Sequence, residues 1–142
     1  MLKTAGVFLL IGLLFGAVYS LVVVFSPQTI ANSTLKARAD TNLGNIQDQA
    51  AAEVIIAEVR HLGIFALTTS IAMFFVFFQG FKKGQKWAWW AFLVAGGIGW
   101  VYGLVIQISE GDMMNLIGHA IGTLLLLVGI LLPIKIFFPK KA

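Results

Sequence analysis

Residues Ala5 to Phe25 form a run of 21 residues without one charged side chain. Nothing constrains the fold of this chain more. As a helix rising about 1.5 Å per residue, such a run covers the roughly 30 Å hydrocarbon layer of a bilayer. Lys3 precedes it, and the apolar character continues through Leu21, Val22, Val23, Val24 and Phe25. That is long for a signal-peptide core, and Val18-Tyr19-Ser20 is a poor cleavage site, so the segment is expected to stay as a first span. Composition agrees. Of 142 residues, 59% are hydrophobic and only 11% charged, with a mean hydropathy of +0.93. A soluble domain carries about 25% charged residues. This chain has too little polar surface to cover one, and disorder needs the opposite composition.

Three more apolar segments follow. Asn45 to Gln79 reads as one helix that starts in water, rich in Ala and Gln, and becomes apolar from about Leu62 to Phe78. Asp40, Thr41 and Asn42 are its candidate N-caps. A basic turn, Phe81 to Lys86, leads into a third span, and an acidic turn, Ser109 to Asn115, leads into a fourth that carries Pro133 near its end. The spans are expected at 5–25, 59–79, 87–108 and 116–138, with an outer polar segment at 26–58. The expected fold is all-α: an integral membrane four-helix transmembrane bundle forming a single domain over 1–142, its second helix extended on the outer side.

Charge sets the orientation. Lys3, Lys82, Lys83, Lys86, Lys135, Lys140 and Lys141 fall on one side, while Lys36, Arg38, Arg60 and all six acids fall on the other. The split is +7 against −3. Lysine and arginine excess marks the cytoplasmic face, so both termini are expected there, in a plasma or inner membrane. Trp87, Trp89 and Trp90 follow Lys86 directly, where an aromatic belt belongs. The net charge of +4 therefore belongs to membrane orientation, and no nucleic-acid partner is expected. There is no cysteine, which excludes disulfides, thiolate metal sites and cysteine nucleophiles.

Small residues recur four apart in three spans: Gly12, Gly16 and Ser20, then Ala95, Gly99 and Gly103, then Gly118 and Gly122. Such spacing lets helix backbones approach closely. It serves packing within the chain's own bundle or a seam to a second chain, and the first use is favoured. Two stripes are more informative. Glu58, His61, Phe65, Thr68, Ala72, Phe75 and Gln79 share one face of the second helix. Asp112, Asn115, His119, Gly122, Leu126, Gly129 and Pro133 share one face of the fourth. Polar groups in a bilayer turn toward the bundle interior, so both stripes are expected to face inward. The candidate ligand-binding residues are Glu58, His61, Thr68, Tyr102, Asn115 and His119, with Arg60 and Asp112 beside them. His61 and His119 are candidate ligands for haem or a transition metal. A Glu58–His61 pair within one helix is the simpler use of the first histidine, and no cofactor is the simpler expectation.

Catalytic signatures are missing. No carboxylate or cation stands mid-span, no phosphate loop is present, and no serine sits in a nucleophile elbow. Gly96-Gly97-Ile98-Gly99 lies inside an apolar span and reads as a packing feature. Asn32-Ser33-Thr34 matches a glycosylation sequon. The segment Ala57-Glu58-Val59-Arg60-His61-Leu62-Gly63 and the Gly111-Asp112 turn resemble those of small four-span bacterial membrane proteins of the DoxX-like kind. The resemblance covers the last two-thirds of the chain and implies a fold without an activity. His119 departs from it, standing where a carboxylate is expected. The Arg/Asn/Glu constellation of four-span glutathione-linked enzymes is not found.

Three functions follow as expectations. The first is a non-catalytic accessory or assembly subunit of a larger membrane complex, with other membrane subunits or further copies as partners besides membrane lipid. The second is a stand-alone module that binds or transports a small ligand such as a lipid or quinone, in an outer pocket between the second and fourth spans. The third is a haem or metal protein using His61 and His119.

Overall fold

The computed structural model describes residues 1–139. Lys140 and Lys141 lie outside them. Every regular element described is helical. In chain order the α-helices are α1 (Leu2–Phe25), α2 (Pro27–Ala39), α3 (Gln49–Gln79), α4 (Lys86–Gly96), α5 (Gly103–Glu110), α6 (Met113–Leu131) and α7 (Ile134–Phe137), with short 3-10 turns at Leu43–Asn45 and Phe81–Lys83. A π-helical segment, Gly97–Tyr102, joins α4 to α5 as one continuous rod. Three stretches, Leu2–Phe25, Gln49–Lys83 and Lys86–Glu110, are long and apolar enough to cross a membrane. Asn115–Leu131 is a shorter apolar helix.

The fourth apolar segment departs from the expected single run over 116–138. Its helix stops at Leu131, and a turn precedes α7. Pro133 is the cause. Proline has no N–H to continue the ladder, and its ring collides with the carbonyl one turn back. The break frees carbonyls in the last turn of α6, and these need new donors. One comes from across the bundle: the Trp89 indole N–H donates to the Ile130 carbonyl at 2.9 Å, in a buried bond.

The outer segment also differs from expectation. Within the outer polar segment, for which no helix before Asn45 was expected, the chain forms α2, with Pro27 at its first turn, where a missing N–H costs nothing. Its Ile30 and Ala31 are buried. Helix α3 begins at Gln49 rather than Asn45, and its cap is Asp48, whose carboxylate accepts the Ala50 and Ala51 N–H groups at 2.9 and 3.3 Å. Asp40, a candidate cap for α3, instead ends α2 in a left-handed conformation and pairs with Lys36. Arg38 reaches across to Glu110 at 2.5 Å, tying the end of α2 to the end of α5.

Helix α1 packs against both α3 and α6. Gly63 lets α3 approach it: a Cβ there would lie 2.9 Å from Val23. The densest packing is at the lysine-bearing end, where Phe77, Phe81, Phe92, Trp89, Ile130 and Phe137 form one buried cluster. Phe81 stacks on Phe77 and meets Phe92 edge-on at 5.4 Å between centroids. Lys82 lies over the Phe78 ring and Lys86 over Phe138, so the cations stay near the surface while their stems cover aromatic rings.

Candidate functional site

Above that aromatic cluster the packing opens. A cavity of about 430 Å³ lies among α1, α3, the third helical rod and α6. Its floor is Leu9, Met73, Phe92 and Leu126, all buried. Its opposite end is Tyr19, Ser20, Trp100 and His119. Helix α3 contributes Ala66, Thr69 and Ser70, and the third rod contributes Ala95, Gly96, Ile98 and Gly99. This volume lies in the range of small-molecule sites, and the lining is mostly apolar with a few polar groups, as such sites are.

Two glycines create the far wall. The six-membered ring of Trp100 rests against Gly122, where any Cβ would penetrate the ring, and against Gly16, where a Cβ would lie 3.2 Å away. Gly103 does the same for His119, whose Nε2 would be 2.6 Å from a Cβ at that position. The π-helical segment begins two residues after Ala95 and holds Ile98, Gly99 and Trp100 on the cavity. Such segments widen a helix locally and concentrate at functional sites.

A hydrogen-bonded layer stands behind His119. Asp112 is 1% exposed and caps α6. Its Oδ1 accepts the Asn115 backbone N–H at 3.2 Å, and its Oδ2 accepts the Asn115 side-chain N–H at 2.7 Å. An ionised carboxylate only accepts, so the Asn115 amino group must face it, and the amide oxygen turns to Tyr19. The Tyr19 hydroxyl donates to that oxygen, joining α1 to α6 over 96 residues of sequence. His119 Nδ1 lies 2.9 Å from the Asn115 carbonyl. A carbonyl has no proton to give, so Nδ1–H is the donor. In the neutral ring Nε2 is then an acceptor.

The six expected ligand-binding residues scatter. His119 alone among them lines the cavity. Asn115 is buried behind it and orients it. Tyr102 is 63% exposed. Thr68 is exposed, its hydroxyl donating to the Ile64 carbonyl of its own helix at 2.9 Å. Glu58 and His61 stand 3.8 Å apart with exposed side chains. Arg60 is exposed as well.

The inward orientation expected for the α3 stripe is not found, since Phe65 and Phe75 are 71% and 67% exposed and the rest of the stripe is exposed with them. The face of α3 that packs carries Gly63, Met73 and Phe77. The physical reason is that Gly63 and the larger apolar side chains set the contact with α1, while the stripe's hydroxyl needs no partner beyond its own helix.

His61 and His119 share no partner among the described residues. Nor do those residues hold any group of three or more His, Asp or Glu placed for a metal ion. Of the small residues, Gly12, Gly16, Gly118 and Gly122 sit against side chains of other helices, Ala95 lines the cavity, and Gly99 faces open space at its edge.

Sequence reasoning missed Tyr19, Thr69, Ser70 and Trp100, and read Ser20 as a packing residue only. The adjacent polar pair Tyr19-Ser20 inside an otherwise apolar span was the available signal. Compared with family models, curated proteins and solved structures, the chain matches none.

Proposed function

We propose that this chain is an integral membrane protein of four spans whose cavity binds a small, largely apolar molecule. The observation that carries the reading is the roughly 430 Å³ space, apolar at its floor and polar at the Tyr19–His119 end. Four apolar segments wall it, and no one of them could form it alone. The broken fourth segment completes the bundle: 17 residues of Asn115–Leu131 give about 26 Å of helix, close to a hydrocarbon layer. Lysine excess at the Lys82–Lys86 turn and at Lys135 supports placing both termini on the cytoplasmic face of a plasma or inner membrane. No side chain around the cavity is a nucleophile paired with a base, which favours binding or transport over catalysis.

The test is extraction in mild detergent followed by mass spectrometry of the co-purifying small molecules. One class should be enriched over bulk membrane lipid. Gly12→Leu should abolish that enrichment, because residue 12 lines the cavity and a Cβ there makes ordinary contact at 3.5 Å. Equal enrichment in the variant would sink the reading.

A second reading, the accessory or assembly subunit, draws on the outward face of α3. Val54, Leu62, Phe65, Ile71 and Phe75 are exposed along it. In that case intact-complex mass spectrometry would return the chain with other polypeptides, or with further copies, at fixed stoichiometry.

A further inference from the structure

The cavity's polar groups have nearly all committed their hydrogens. Ser20 donates to the Gly16 carbonyl at 2.7 Å. Thr69 and Ser70 donate to the Phe65 and Ala66 carbonyls, each at 2.9 Å. Tyr19 donates to Asn115, and His119 Nδ1 donates to the Asn115 backbone. The Nε2 edge of His119 packs on Gly103, so what the other four groups offer a ligand is lone pairs, on four hydroxyl oxygens. A molecule that only accepts hydrogen bonds, such as a ketone, an ether or a quinone, leaves these lone pairs unmatched. A hydroxyl matches them, donating to one of the oxygens.

The cavity's exposed margin says where the molecule comes from. Ala66 and Thr69 of α3 line it and are exposed, as are Ile98, at 67%, and Gly99 on the third rod. These two pairs fall near the middle of the apolar stretches Gln49–Lys83 and Lys86–Glu110. The opening therefore lies at mid-height of the bundle, far from both the lysine-bearing turn and the Asp112 end. In a four-span bundle that height is occupied by acyl chains.

We infer that the ligand is a bilayer-dissolved alcohol, a molecule with an apolar body and a hydroxyl head, entering sideways between α3 and the third rod and seating its O–H among Tyr19, Ser20 and His119. This deepens the binding reading above and rests on it.

The experiment uses the full chain in phosphatidylcholine nanodiscs. Three photoreactive probes share one long alkyl body and carry a secondary hydroxyl, the corresponding ketone or the methyl ether. Labelled residues are mapped by peptide mass spectrometry. The alcohol should label cavity residues such as Met73 and Leu126, and the other two should do so at least about fivefold less, the size of one net hydrogen bond. Equal labelling by ketone or ether overturns the donor requirement and leaves the binding reading standing. Labelling by all three confined to outward residues such as Phe65 overturns both. Gly99→Leu, whose Cβ meets nothing within 4 Å, narrows the mouth without a clash. It should cut labelling by the alcohol severalfold. Unchanged labelling, with equal labelling by a short water-soluble alcohol, overturns entry from the bilayer.

Discussion

Helices α3 and α6 carry stripes built by the same rule, polar and small residues three and four apart, yet one faces out and the other in. On α6, Asp112, Asn115, Gly122, Leu126, Gly129 and Pro133 are buried and His119 is half-buried. On α3, every member from Glu58 to Gln79 is exposed. The difference lies in what each polar group can do alone. Thr68 satisfies its hydroxyl on its own helix, and Glu58 with His61 forms a local pair. Neither needs a second helix. Asn115 has a two-ended amide, and its partners stand on two elements, the α6 cap and α1. A polar group that its own turn of helix cannot satisfy therefore reports a contact, whereas one that its own turn satisfies can face either way, as the exposed Thr68 and the buried Ser20 do.

Substitutions break this comparison in order of size. Gly122→Leu should be the worst, because its side chain must displace the Trp100 ring. A loss of about 3 kcal/mol or failure to fold is expected in detergent unfolding, while Ala72→Leu on the α3 stripe should change stability by less than about 0.5 kcal/mol. If the two behaved alike, the packed and unpacked faces would be misassigned. Next comes Asn115→Leu, which takes the side-chain partner from Asp112 Oδ2 and from the Tyr19 hydroxyl while leaving the backbone N–H on Asp112 Oδ1. A cost of about 2–3 kcal/mol is expected, against about 1 kcal/mol for Tyr19→Phe, read from thermal midpoints. Thr68→Val, the matching change on α3, should be nearly silent; a cost above about 1 kcal/mol would mean that Thr68 has a partner outside this chain.

A measurement that reads exposure rather than stability sharpens the contrast most. The sequence has no cysteine, so single spin-labelled cysteines can be placed at will. In a bilayer, Phe65→Cys and Phe75→Cys should be mobile and open to dissolved oxygen, and Leu126→Cys should be immobile and closed. Immobile labels on α3 would show a second copy or another subunit covering that face.

Much of the helical layout was legible because it depends on apolar runs and their punctuation. Phe25 and Gln79 end helices where Ser26-Pro27 and the Gly80 turn stop them. The end of α6 was less legible, since whether Pro133 kinks a helix or ends it depends on who satisfies the freed carbonyls, and Trp89 stands 41 residues away. The cavity left little trace in sequence. A space forms where helices diverge, and its lining alternates Gly, Ser, Thr and Ala, which read locally as packing residues. His119 was visible as a polar residue in an apolar segment. Tyr19 was visible in the same way, but its partner Asn115 lies in another helix and could not be read from the run around it.

The π-helical segment has a consequence for register. In a regular helix each residue advances about 100° around the axis. A turn with a wider ring resets that phase, so α4 and α5 answer to different neighbours. Upstream, Ala88, Trp89 and Phe92 key into the aromatic cluster; downstream, Gly103 meets His119 and Glu110 meets Arg38. The wide turn absorbs about one residue more than a regular one. Deleting one residue from Gly97–Tyr102 should therefore restore a uniform helix with Gly103 and Glu110 facing nearly as before. Deleting one from the regular turns of α4 should instead rotate the two halves against each other by about 100° and part the aromatic cluster from the His119 pocket wall and the α2 tether. The third rod is thus two keys cut on one shaft, and the stretch between them sets their relative angle.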